Sequence, residues 1–148
     1  RNLDKMNVTF FNTEKDQLKQ LRNYVSRDNF NGRIRIKLVA RNKAESIAAE
    51  LKAIRRGFRE RGLSADNLIR EIDDVNYDSD FDLARTQAYK LSDESGSFLD
   101  HQLWVAVMRS PNYFVFATLF TPDRDNEYYR WAVNSEAYKF ILSRMDVK

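Results

Sequence analysis

The chain's single histidine, His101, follows Asp100 in the stretch FLDHQLW. Side by side in a general-base site, such residues let a carboxylate fix the imidazole tautomer for proton transfer. Neighbours on an extended segment point to opposite sides, however, so the pair reads equally well as incidental. In DSDFD, residues Asp78, Asp80 and Asp82 alternate as the first three oxygen ligands of a calcium loop do. Leu83 and Tyr89 stand where that loop needs its turn glycine and bidentate glutamate, which excludes an EF-hand and leaves a solvated acidic loop or an irregular divalent site. Arg55, Arg56, Arg59 and Arg61, with Lys52, form the densest run of positive charge. That run suits an anionic partner, although Glu50 and Glu60 interrupt it and no aromatic set for base stacking lies beside it.

Other chemistries are missing from the sequence. It has no glycine-rich phosphate loop, no H-E-x-x-H pair and no nucleophile elbow. With zero cysteines it has no thiolate nucleophile, no thiolate zinc site and no disulfide framework. We therefore assign no catalytic residue, no metal ligand and no cofactor from the sequence.

The elements that must position these groups follow from periodicity. At 148 residues with 43% hydrophobic and 13% aromatic content, the chain can bury one core. A single domain over residues 1–148 is expected, with possible subdomains 1–77 and 98–148 on either side of a loosely patterned middle. KMNVTFF alternates Met6, Val8 and Phe10 as a half-buried strand, and TEKDQLKQLRNYVSR repeats at helical spacing. Gly32 turns the chain into RIRIKLVA, where Ile34, Ile36 and Leu38 alternate with Arg33, Arg35 and Lys37. Asn42 and Glu45 have the form of a capping box for a second helix whose stripe, Ile47, Leu51, Ile54 and Phe58, should face the sheet above Ile34, Ile36 and Leu38. Gly62 fits the left-handed residue that ends this helix before LIREI resumes as a strand.

Beyond Asp73 the pattern loosens. LARTQAYKL fits a strand better than a helix, SDESGSFLDHQ reads as a loop, and Leu103 to Arg109, SPN and Tyr113 to Thr121 read as a hairpin covered on both faces. Tyr129, Val133, Ala137, Phe140, Ile141 and Met145 recur at helical spacing in the last segment, where a strand ending at Asn134 is the alternative. The predicted class is α+β: a mixed β-sheet with a β-α-β-α-β first half, then a β-hairpin and a C-terminal helix.

The first half, from GRIRIKLVA through RERGLSADNLI, resembles the OmpA-like domain superfamily, whose second helix ends in a comparable glycine phrase; Gly62 to Leu68 occupy it here. Ala49 and Glu50 fall near the place of that family's arginine, and its loop after the middle strand is missing, so the peptidoglycan-binding motif is not matched. The compact form is more similar to the periplasmic domain of CpaD-type pilus-biogenesis lipoproteins. This resemblance implies a cell-envelope, periplasmic module working through protein–protein contacts in a secretion or pilus assembly.

Charge counts leave the partner open, because 25 Lys+Arg against 22 Asp+Glu amount to only +3. Placement must decide. The expected contact residues are Arg41 and Asn42 at the strand end, and Arg56 and Arg59 on the helix face. Nucleic acid bound by the same basic face is the alternative partner, and a cytoplasmic location the alternative setting. The apolar run Tyr113 to Phe120 is far shorter than the about 18 residues of a membrane helix. A chain opening at Arg1 without a leader or lipidation cysteine reads as an excised or mature domain.

Overall fold

The computed structural model describes residues 6–7, 32–43 and 46–147. Arginine and isoleucine alternate along β2 (Arg33–Ala40), so Ile34 and Ile36 are buried while Arg33 and Arg35 remain in water. After a 3-10 turn at Arg41–Lys43 come α1 (Ile47–Arg59) and β3 (Leu63–Ile72). The chain then forms β4 (Leu83–Asp93), β5 (Phe98–Arg109) and β6 (Tyr113–Pro122), and ends in α2 (Tyr128–Arg144). Only Met6–Asn7 of the first predicted strand is described, as β1. The helix predicted after it lies outside the described residues.

The architecture is α+β, but its sheet is not the one the sequence predicts. Strand order is β1-β2-β6-β5-β4-β3, and every neighbouring pair is antiparallel. β2 and β3 run parallel yet stand three strands apart, with α1 crossing between them, so the described strands form an antiparallel sheet where a mixed one is expected. The β4, β5 and β6 meander fills the gap because its strands read apolar on both faces and need central positions.

Among the described residues, one helix covers each face. Beneath α2, Ile34 and Ile36 meet Trp104, Ala117 and Leu119, and Tyr138, Ile141 and Leu142 close the layer from the helix. Each buried isoleucine or leucine among them contributes roughly 1.5–3 kcal/mol. The Tyr138 hydroxyl, fully buried, donates to the Ala117 carbonyl at 2.8 Å, and burial pushes its pKa well above the ordinary phenol value. The expectation that Ile34, Ile36 and Leu38 lie under Ile47, Leu51 and Ile54 is therefore corrected. Those strand residues face α2, and α1 lies on the opposite face with Leu103, Val105 and Tyr89. Periodicity locates an apolar face on each element but cannot say which two faces meet.

Local signals explain the remaining differences. Ser46, not Asn42, caps α1: its Oγ accepts from the Ala49 N–H at 2.9 Å, as a short hydroxyl at the N-cap position should. Gly62 has φ +77° and ends the helix as expected, while a Cβ at Gly32 (φ +141°) would lie 2.6 Å from Asn134 Nδ2 and 2.9 Å from the Phe120 carbonyl oxygen. β4 is a strand, and it pairs with a β5 that begins at Phe98, inside the segment expected to be loop. On α2 the buried stripe includes Asn134, Ser135 and Tyr138, whereas Tyr129 is 74% exposed. Asn134 belongs in the core because its Nδ2 donates to Thr121 Oγ1 at 3.0 Å, a partner that hydropathy alone does not reveal.

Candidate functional site

Helix α1 carries cations outward and an apolar stripe inward, and these two faces are the candidate site. Lys52, Arg56 and Arg59 lie exposed on its outer side. Arg61 follows at the helix end, near Arg35 of β2, whose other basic neighbour is Arg33. Partial burial and the charges of those two neighbours depress the Arg35 pKa, in that order of weight: burial, Arg33, Arg61. Several cations elsewhere find acids: Lys37 pairs with Glu50 at 2.9 Å, Arg85 with Glu71 at 2.9 Å, Arg109 with Asp82 at 2.9 Å and Lys139 with Asp74 at 2.7 Å. None of Arg33, Arg35, Lys52, Arg56, Arg59 or Arg61 joins an ion pair among the described residues.

The four contact residues expected from the sequence do not converge. Arg41 donates through Nη1 to the Ser110 and Pro111 carbonyls at 3.3 Å each, and its guanidinium lies 5.8 Å from the Phe114 ring centroid. Its role is to tie the 3-10 turn to the β5–β6 turn. Asn42 is exposed beside it. Arg56 and Arg59 sit toward the other end of the 13-residue helix, which is about 20 Å long at 1.5 Å per residue. Arg33 and Arg35 join the basic face although sequence reading left them as the polar side of a strand. Their contribution depends on β2 lying beside the helix end, and nothing local in sequence encodes that.

Inward, α1 buries none of its residues despite its marked stripe. A cavity of about 180 Å³ explains this, lying between the helix and the sheet. Ile47, Leu51 and Ile54 line it from α1, and Leu103, Val105 and Val107 from β5. Polar groups gather on its β4 side. Tyr89 donates its O–H to Gln87 Oε1 at 2.9 Å, and Gln87 Nε2 donates to Glu71 Oε1 at 2.6 Å. Arg85 Nη2 reaches the same Glu71 oxygen at 2.9 Å. Arg55 also lines the cavity, with its guanidinium 5.6 Å from the Tyr89 ring centroid and no acidic partner among the described residues.

The two other sequence candidates resolve differently. His101 stacks on Phe120 at 4.8 Å, and no hydrogen bond joins it to the Asp100 side chain among the described residues, so a general-base dyad is not assembled. Burial lowers its pKa below the ordinary 6.5, Asp100 opposes that shift and Lys90 adds to it. The unfolded chain thus binds the proton more readily. Stability is fully present above pH 6.5 and is lost as pH falls through that value toward the lower folded pKa. The carboxylates with lowered pKa, Asp74, Asp82 and Asp93, contribute above their ordinary 3.8 and lose that contribution only at lower pH. We expect the urea midpoint to fall between about pH 7.5 and about pH 5.5, and His101→Gln to flatten that fall; an unchanged slope in the variant would assign the effect to another group.

Asp78 and Asp80 lie with Asp146, not Asp82, in a group that brings one carboxylate oxygen from each within 4.8 Å of the others. Asp82 turns instead to Arg109 Nε at 2.9 Å. Such oxygens suit a hard divalent cation. The same turn is also satisfied internally, since the Asp80 N–H donates to Asp78 Oδ1 at 2.8 Å. No helix among the described residues is long and apolar enough to cross a membrane. No protein-family model matches the chain, and no curated protein matches its sequence.

Proposed function

We propose that the chain is a non-catalytic binding module that captures an acidic protein partner on the outer face of α1 and the adjoining start of β2. The reading is carried by the concentration on one face of Arg33, Arg35, Lys52, Arg56, Arg59 and Arg61, none of which has an acidic partner among the described residues. A protein partner suits this face better than nucleic acid because, among the described residues, the exposed aromatic side chains Phe98, Tyr128 and Tyr129 lie on other elements and give no stacking platform beside the arginines. A cell-envelope setting, periplasmic and within a secretion or pilus assembly, belongs to the proposal through the resemblance of the first half alone.

Charge reversal tests the reading. Arg56→Glu with Arg59→Glu is expected to weaken binding of a labelled glutamate-rich peptide by about tenfold or more, with the association rate falling most, because rim charges steer encounter. Thermal unfolding should barely move, since both side chains are exposed. Unchanged peptide binding would remove this face. Tighter binding of a DNA or RNA oligonucleotide than of the peptide, falling steeply with salt, would replace the protein partner by nucleic acid.

A further inference from the structure

We propose that the cavity beneath α1 is a binding site for a small monocarboxylate with a short aliphatic tail. Its volume, about 180 Å³, is slightly larger than an engineered cavity of about 150 Å³ that takes up benzene. A tail of about six to eight carbons is thus the size of occupant it admits. Its walls from α1 and β5 are branched aliphatic: Ile47, Leu51 and Ile54 above, Leu103, Val105 and Val107 below. Against these aliphatic walls water would find few partners, whereas a hydrocarbon chain restores the dispersion contacts that the unburied stripe of α1 lacks.

Charge selects the head group. Arg55 is the one cation lining the cavity without an acidic partner among the described residues, because Arg85 is already held by Glu71. A carboxylate facing Arg55 brings the rim to neutrality. A phosphate dianion would carry a second charge toward Glu71, which Gln87 and Arg85 fix on the same side, and a cationic head would meet Arg55 directly. Tyr89 supports the geometry by holding the guanidinium against its ring while its hydroxyl is committed to Gln87. This site lies on the inner side of α1, so it stands or falls independently of the outer basic face.

Octanoate, 1-octanol and octylamine are suitable probes, with binding read by calorimetry and by chemical shifts of the cavity methyl groups. Octanoate should bind, octanol more weakly and octylamine weakest. Arg55→Met, which keeps an apolar stem, should weaken octanoate by about tenfold or more, the worth of a charge-assisted hydrogen bond, and leave octanol unchanged. Val105→Phe and Leu51→Trp fill the space from opposite walls, so either one that retains the parental melting profile should abolish uptake of both. Octanoate affinity unchanged by Arg55→Met overturns the head-group assignment. Undiminished uptake by a folded filled variant, or no octanoate binding by the parent chain, overturns the site.

Discussion

Replacing Asp123 by alanine is expected to destabilise the domain by about 3–5 kcal/mol, read as a lower urea midpoint at unchanged m-value. Asp123 is only 7% exposed, and its carboxylate holds two donors at once: the Lys90 ammonium on one oxygen, and Gln102 Nε2 at 2.7 Å on the other. Alanine would leave a lysine whose side chain is only 25% exposed without its counter-ion, and a buried amide without its acceptor. Removing one member of a buried pair costs far more than removing both. Adding Lys90→Met to Asp123→Ala should therefore recover part of the loss. Asp123→Asn, which keeps an acceptor for Gln102, should fall between. A loss below about 1 kcal/mol would mean that water satisfies Lys90, as at an exposed pair.

This network was not legible in the sequence, and the reason is physical. Lys90, Gln102 and Asp123 belong to β4, β5 and the turn after β6, and they meet only because the register sets Lys90 opposite Gln102 and Gln102 opposite Thr121. Strand alternation was legible where one face is wet, as with Ile34 and Ile36 against Arg33 and Arg35, and the hairpin arms were legible by being apolar on both faces. Pairing order was not. The sequence of elements suggested crossover units in a mixed sheet, whereas the doubly apolar β5 and β6 belong in the middle of the sheet and push β2 and β3 apart.

The candidate site divides along the same line. Arg56 and Arg59 are where helical periodicity puts them, on the outer face, and the inward stripe of α1 was equally plain. That the stripe stands over a cavity depends on which sheet face lies beneath it and how closely, and both are tertiary facts. Arg55 shows the limit well: in sequence it is one of a run of arginines, yet its half-buried position over Tyr89 separates it from the solvated Arg56 next door. Asp146 joined Asp78 and Asp80 in the same unforeseeable way, across most of the second half of the chain.

Trp104→Ala is the second substitution expected to approach the whole stability of a small domain, at about 3–5 kcal/mol. Trp104 is 1% exposed and meets Tyr138 edge-on at 6.0 Å and Trp131 at 6.4 Å, so its loss opens a cavity at the junction of β5 and α2. Its indole N–H also donates to Gln102 Oε1 at 2.9 Å, the oxygen that Trp131 Nε1 reaches at 3.1 Å. Trp104→Phe separates the two contributions. The ring volume is largely kept and Gln102 retains the Trp131 donor, so a loss of about 1–2 kcal/mol is expected. Trp131→Phe, at a half-buried position, should cost less still and leaves Trp104 as the sole tryptophan, whose emission then reports this junction directly. In that background the emission change and the far-ultraviolet melt should coincide. Tryptophan emission that shifts before the helix signal would show the α2 layer detaching from the sheet as a separate step, and Trp104 would then anchor that layer rather than the whole core.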